Sequence, residues 1–171
     1  SSRLKKKRVT VNDIAKEAGV SLKTASRALN NSPHVREEKR EAVLKAAKKF
    51  NFRPNISARQ LASNRSYVIT HFYDNMNTDY LSKIYTGMQQ ACHQHGYYAV
   101  AEATDCSKKK FIDETLEYVS AFNIDGLILS PPLCDDAALI KALKKQGIKM
   151  VLISPQETSD EDYFVFVDEK K

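Results

Sequence analysis

The stretch TVNDIAKEAGVSLKTASRALNN, Thr10 to Asn31, reads as a helix, a tight turn and a second helix. The first helix is predicted to start after Val11, with Asn12 capping its free amide groups and Asp13 at the positive end of its dipole. Ile14, Ala15 and Ala18 then share one face. Gly19 stands where a helix stops in a left-handed conformation, and Val20 can tuck into the angle between the two helices. Ser21 is predicted to cap the second helix. There Ala25, Ala28 and Leu29 turn inward, while Leu22, Lys23, Ser26 and Arg27 point outward. Small inward residues let the helices approach closely. The outward set carries groups that hydrogen-bond base edges and phosphates, and a helix of this diameter fits the major groove. The alternative for the same residues is an ordinary helical hairpin with a solvated polar face.

Working outward, a third helix is predicted from Arg36 and Glu37 to Phe50. Its stripe Val43, Ala47, Phe50 should close a small core against Ile14, Val20 and Leu29, with Phe52 as a lid. About 50 residues make a thin core, so this head is expected to be marginally stable alone. Pro54 breaks the chain, and Asn55 can cap a new, short helix.

Charge divides the chain in the same place. Residues 1–67 hold 17 lysines and arginines against 5 acids, and residues 68–171 hold 10 against 16, so the overall +6 conceals a net +12 head and a net −6 body. A basic head can displace counterions from phosphates, whereas the body repels them. The opening RLKKKR, Arg3 to Arg8, is predicted to be a flexible basic arm. No apolar segment follows it and no run of about 18 apolar residues occurs, so no secretory signal or membrane span is predicted and a cytoplasmic location is expected. Cys92, Cys106 and Cys134 show no CxxC spacing and suit free thiols in a reducing compartment. His93 and His95 lie two apart on a predicted helix, which turns their rings to different sides, and are read as surface residues. No metal or cofactor site is expected.

From Tyr67 onward apolar runs alternate with helix-like stretches. The runs are Tyr67 to Phe72, Tyr98 to Ala101, Gly126 to Leu129, Met150 to Ile153 and Phe164 to Val167. The helices between them are predicted at about Tyr80 to His95, Lys109 to Phe122 and Asp135 to Lys145. This alternation predicts a parallel sheet with helices on both faces. GxGxxG, GxxxxGK[ST] and the nucleophile elbow GxSxG are absent, and nothing nominates an enzyme.

The blocks VTVNDIAKEAGVS, LKTASRALNN, HVREEKREAVLKAAKKFNFRPN and ISARQLAS, in this order and spacing, resemble the DNA-binding head of the LacI/GalR family of bacterial transcription regulators. HGYYAVAEA and FNIDGLILSPP resemble the opening strands of that family's periplasmic-binding-protein-like core. The resemblance implies an all-helical helix-turn-helix head at 9–53, behind the arm at 1–8. A hinge helix and linker would follow at 54–66, and the first part of a parallel α/β effector core at 67–171. It implies an effector-controlled repressor of sugar or nucleoside catabolism genes that binds palindromic operator DNA as a homodimer. In that picture Leu22, Lys23, Ser26 and Arg27 read bases, while Thr10, Asn12, Ser21, Thr24, Asn30 and His34 position phosphates.

Two hinge helices would lie in the minor groove through Asn55, Ala58, Leu61 and Ala62, with Leu61 as the wedge that kinks a base step. So short a helix is marginal in water, so the hinge is expected to order only on DNA. A small-molecule effector would meet Asp79, Tyr80, Ser130, Pro131 and Ser154, since ligands of such sheets bind beyond the carboxyl ends of the strands. Asp168 is expected to cap a following helix. The family core runs about twice as far, so the sequence is expected to be a fragment or a truncation. A non-specific architectural DNA binder remains the contrasting reading: it would need neither the outward reader set nor an appended core.

Overall fold

The structure is a computed structural model that describes residues 8–53 and 56–167, without the side chains of Ser57, Ala58, Leu61 and Ala62. Most of the basic arm, together with Pro54, Asn55 and Asp168, therefore lies outside the described residues. The chain divides into two compact units, Ser1–Arg59 and Gln60–Lys171.

The first unit contains α1 (Val11–Ala18), α2 (Leu22–Leu29) and α3 (Glu37–Lys49). Its buried cluster is Ile14, Ala15, Ala25, Ala28, Val35, Val43, Ala46 and Ala47, with Val20, Leu29 and Phe52 half-buried against it. Alanines at the contacts let all three helices pack on one another. Two expectations are corrected here. Thr10, not Asn12, caps α1: its hydroxyl accepts the Asp13 N–H, and the Asp13 carboxylate accepts the Thr10 N–H, which closes a capping box. Phe50 does not join the core stripe and is 37% exposed. The chain reverses at Asn51 (φ 47°) and Phe52 N–H returns to Ala47 C=O, so the ring at 52 reaches the core instead. Gly19 (φ 65°) ends α1 in the same way, with Val20 N–H donating to Ala15 C=O.

Ile56–Ser63 form α4, inside the segment predicted as the hinge; the helix is formed in the chain by itself, contrary to the expectation that it orders only on DNA. The second unit then builds β1 (Val68–Tyr73), α5 (Thr78–Gln94), β2 (Tyr98–Ala103), α6 (Phe111–Ala121), β3 (Gly126–Leu129), α7 (Ala137–Lys145), β4 (Lys149–Ile153) and β5 (Tyr163–Val165). The five strands are all parallel, in the order β2-β1-β3-β4-β5. The step from β1 to β2 runs one way along the sheet, and the steps to β3 and β4 run the other. With right-handed crossovers, this puts α5 on one face and α6 and α7 on the opposite face. The apolar core fills the latter face: Phe72, Leu127, Leu129, Met150 and Leu152 pack with Val119, Leu139 and Leu143.

Candidate nucleic-acid interface

In the head, α2 is an eight-residue amphipathic helix started by Ser21, whose hydroxyl accepts the Thr24 N–H at 3.1 Å and meets the Thr24 hydroxyl at 2.9 Å. Its inward face is closed by Ala25 and Ala28, both buried. Leu22, 54% exposed, and Lys23 and Arg27, both exposed, face outward, and Ser26 is half-buried beside them. The pairs 22/26 and 23/27 are each one helical step of four apart, so the four predicted base readers share one surface. A helix of eight residues is about 12 Å long, which spans the width of a major groove.

The predicted phosphate contacts lie at helix ends and in the loop after α2. Asn12 and Ser21 are exposed near the starts of α1 and α2, Asn30 caps the end of α2, and His34 is exposed in the loop after it. Thr10 and Thr24 are tied into the caps of their own helices. One residue that the sequence did not single out holds that loop in place. Arg40 of α3 donates to Asn31 Oδ1 at 3.1 Å and to Ser32 C=O, and lies 3.7 Å from Glu37. Nothing in a sequence read helix by helix joins Arg40 to a loop eight residues away. Lys49 and Glu17 pair at 2.5 Å, tying α3 to α1.

The second unit brings the effector candidates to the carboxyl end of its sheet. Asn77 caps α5 by accepting the N–H groups of Asp79 and Tyr80, with Asp79 exposed and Tyr80 half-buried. Pro131 is exposed after β3, and Ser154 after β4 accepts the Val167 N–H. Ser130 is fully buried, its hydroxyl 2.8 Å from His71 Nε2. Burial holds the His71 pKa down to about 4, so the ring is neutral. Cys106 and Cys134 are likewise pushed up by burial, to about 11 and about 12, and stay as thiols.

Residues 10–55, which contain the whole α1–α2–α3 arrangement, match the family described as bacterial regulatory proteins, lacI family. The chain belongs to the LacI family. The HTH-type transcriptional regulator RegA of Clostridium acetobutylicum is 30% identical over 159 residues, which cover 91% of this chain and 46% of that protein. The probable HTH-type transcriptional repressor ExuR of Bacillus subtilis is 30% identical over 148 residues, 85% of this chain and 43% of that protein. Among solved structures, the lac repressor dimer bound to operator and the anti-inducer ONPF superposes with a TM-score of 0.64 at 27% identity. The match covers 95% of this chain and 49% of that one. The LacI-family chain thus spans about half the length of the curated relatives it matches. Among the described residues no group of three or more His, Cys, Asp or Glu could hold a metal ion, and no helix is long and apolar enough to cross a membrane.

Proposed function

We propose that this chain is the operator-binding part of an effector-controlled transcriptional repressor of sugar or nucleoside catabolism genes, working without catalysis in the bacterial cytoplasm. The observation that carries the reading is α2. It presents Leu22, Lys23, Ser26 and Arg27 on one outward surface of a basic head, within the segment that matches the LacI family. Lys and Arg suit guanine edges, Ser suits several bases, and Leu22 offers an apolar contact to a thymine methyl. Thr10, Asn12, Ser21, Thr24, Asn30 and His34 serve as the phosphate-positioning residues.

Supported by the likeness to a repressor dimer bound to operator, the chain binds a palindromic site as a homodimer. Leu61 enters the minor groove between two hinge helices, and Asn55, Ala58 and Ala62 border it there. A sugar- or nucleoside-type effector lies beside Asp79, Tyr80, Pro131 and Ser154, while Ser130, also expected from the sequence to meet it, is fully buried on His71 and gives it no exposed surface. Carboxylate and ring suit a polyhydroxylated ligand, the one accepting hydroxyl hydrogen bonds and the other covering an apolar face.

The test is selection of bound sequences from random duplex DNA by the 171-residue chain at physiological salt, because salt sets the non-specific background. Enrichment of a palindrome supports specific dimeric recognition. A single enriched half-site keeps the reader helix and removes the dimer, and flat affinity for all sequences sinks the regulator in favour of an architectural binder.

A further inference from the structure

The chain between the hinge helix and the first strand is gripped by one carboxylate. Ser66 N–H donates to Asp125 Oδ1 at 3.2 Å, and Tyr67 N–H donates to Asp125 Oδ2 at 3.0 Å. Asp125 is itself fixed at the first rung of the β1–β3 pairing, where its N–H donates to Val68 C=O at 3.1 Å. The next residue, Gly126, lies so close to β1 that a Cβ there would stand 3.1 Å from Ile69 Cδ1. From the other side, the Gln60 side-chain amide of α4 donates to Ser66 C=O at 2.6 Å. The Ser66 hydroxyl accepts the Val68 N–H at 3.3 Å. Ser66 is buried, so each of its backbone groups is engaged, the carbonyl by the hinge helix and the amide by the sheet.

Tyr67 adds strain to this junction. Its φ of 58° is disfavoured for a bulky L-residue, and such a conformation persists only where the surroundings over-determine it. Here the two Asp125 hydrogen bonds fix its amide and its neighbour's, and the buried ring packs edge-on against Tyr97 at 5.5 Å.

We propose that Asp125 is a positioning residue for DNA binding. It fixes the Ser66–Tyr67 backbone where the chain enters β1 and, through Ser66 and Gln60, holds the carboxyl-terminal turn of α4 formed. Its consequence for DNA rests on the operator-binding reading. Its structural half, the order of α4, stands without that reading. A carboxylate suits the task because hydrogen bonds to an ionised acceptor are about twice as strong as neutral ones, and one Asp can receive two amides at once. Replacing it by asparagine preserves size but sets an NH2 group against one of the two N–H donors.

The experiment compares the full wild-type chain with Asp125→Asn. It reads amide hydrogen exchange at residues 60–67, and affinity for the duplex that the wild type enriches from random DNA and for random duplex. The variant is expected to exchange its Gln60 to Ser63 and Ser66 to Tyr67 amides about tenfold faster, with the Leu127 and Leu129 amides unchanged. It should also bind the enriched duplex about tenfold more weakly and random duplex nearly as before, in line with a lost hydrogen bond to a charged group. Unchanged protection in α4 overturns the inference, and so does lost protection with unchanged affinity for the enriched duplex. A wild-type chain that enriches no duplex fails the regulator reading, and the exchange arm then decides the inference on its own. Should Asp125→Asn unfold the sheet, Gln60→Met cuts the other half of the bridge without touching the sheet, and the same exchange readout decides.

Discussion

The two units of this chain solve the problem of burial differently. The head fills its interior with small residues: five of its eight buried core residues are alanine, and all of the described buried polar residues lie elsewhere. The α/β unit buries Phe, Leu, Ile, Val and Met, and takes in His71, Ser130, Thr70 and Thr115 as well. The difference follows from the size of each unit. A three-helix unit of about 50 residues closes its interior by bringing its helices close together, with its polar side chains outside. A sheet with helices on both faces has volume to spare and can hide a hydrogen-bonded pair. The head is correspondingly the thinner structure, with less apolar area to oppose its chain entropy.

The largest effects should come from emptying the two cores. Ile14→Ala and Leu129→Ala each remove a fully buried side chain and should each cost about 2 to 5 kcal/mol. The equal loss should have unequal consequences. In calorimetry of the full chain, Ile14→Ala should abolish or strongly lower a separate head transition, while Leu129→Ala lowers the α/β transition and leaves that unit folded at room temperature. If both variants shift one common transition, the units are not independent and the contrast between a thin and a thick core fails.

Acid should separate them next. Native His71 takes up its proton only near pH 4, whereas the unfolded residue does so near 6.5. Between these values the unfolded state binds more protons, so stability of the α/β unit falls as pH is lowered from about 6.5 to 4, by up to roughly 3 kcal/mol. His71→Gln, which keeps a hydrogen-bonding end toward Ser130, should flatten that slope. The head core contains no titratable group among its buried residues and should be unaffected by the substitution. A slope that survives in the glutamine variant would place the acid sensitivity elsewhere.

At the head's surface, Arg27→Ala should cost about 1 to 3 kcal/mol on an enriched duplex and relax the preferred sequence, as the loss of a bidentate guanine contact does. The head should remain folded, because Arg27 is exposed. Equal weakening on enriched and random duplex would make Arg27 a phosphate contact instead.

The same contrast explains what could be read from the sequence. The outward residues of α2 were legible because a helix writes its two faces at a fixed spacing, and the strands were legible as apolar runs between turn residues. Partners distant along the chain were not. Asp125 lies 59 residues after Ser66, and the IDG segment marked a strand without saying that its carboxylate would turn back to the chain just before β1. Ser130 was legible as a residue at the end of β3, but its pairing with His71, also 59 residues away, depends on the β1–β3 register. Phe50 was misplaced because an ideal helical stripe continues through it, while the left-handed Asn51 hands the core position to Phe52.

The smallest effect belongs to the start of α1, where Asn12 and Thr10 are both residue types that cap helices. Asp13 decides between them, because its carboxylate reaches back to the Thr10 N–H and hydroxyl, each at 2.8 Å, and completes the reciprocal pair. Thr10→Ala removes the hydroxyl and leaves the Asp13 N–H without its cap, so the head should lose about 1 kcal/mol. Asn12→Ala touches no cap and should leave thermal stability within about 0.5 kcal/mol of wild type. The two variants also divide stability from recognition. If Asn12 meets phosphate, Asn12→Ala weakens every duplex to a similar degree without lowering the head transition. Thr10→Ala should lower the transition, and it weakens DNA binding as well where the uncapped α1 no longer supports α2. A stability loss at Asn12 equal to that at Thr10 would mean that the helix begins where the sequence alone suggested, two residues later than the structure places it.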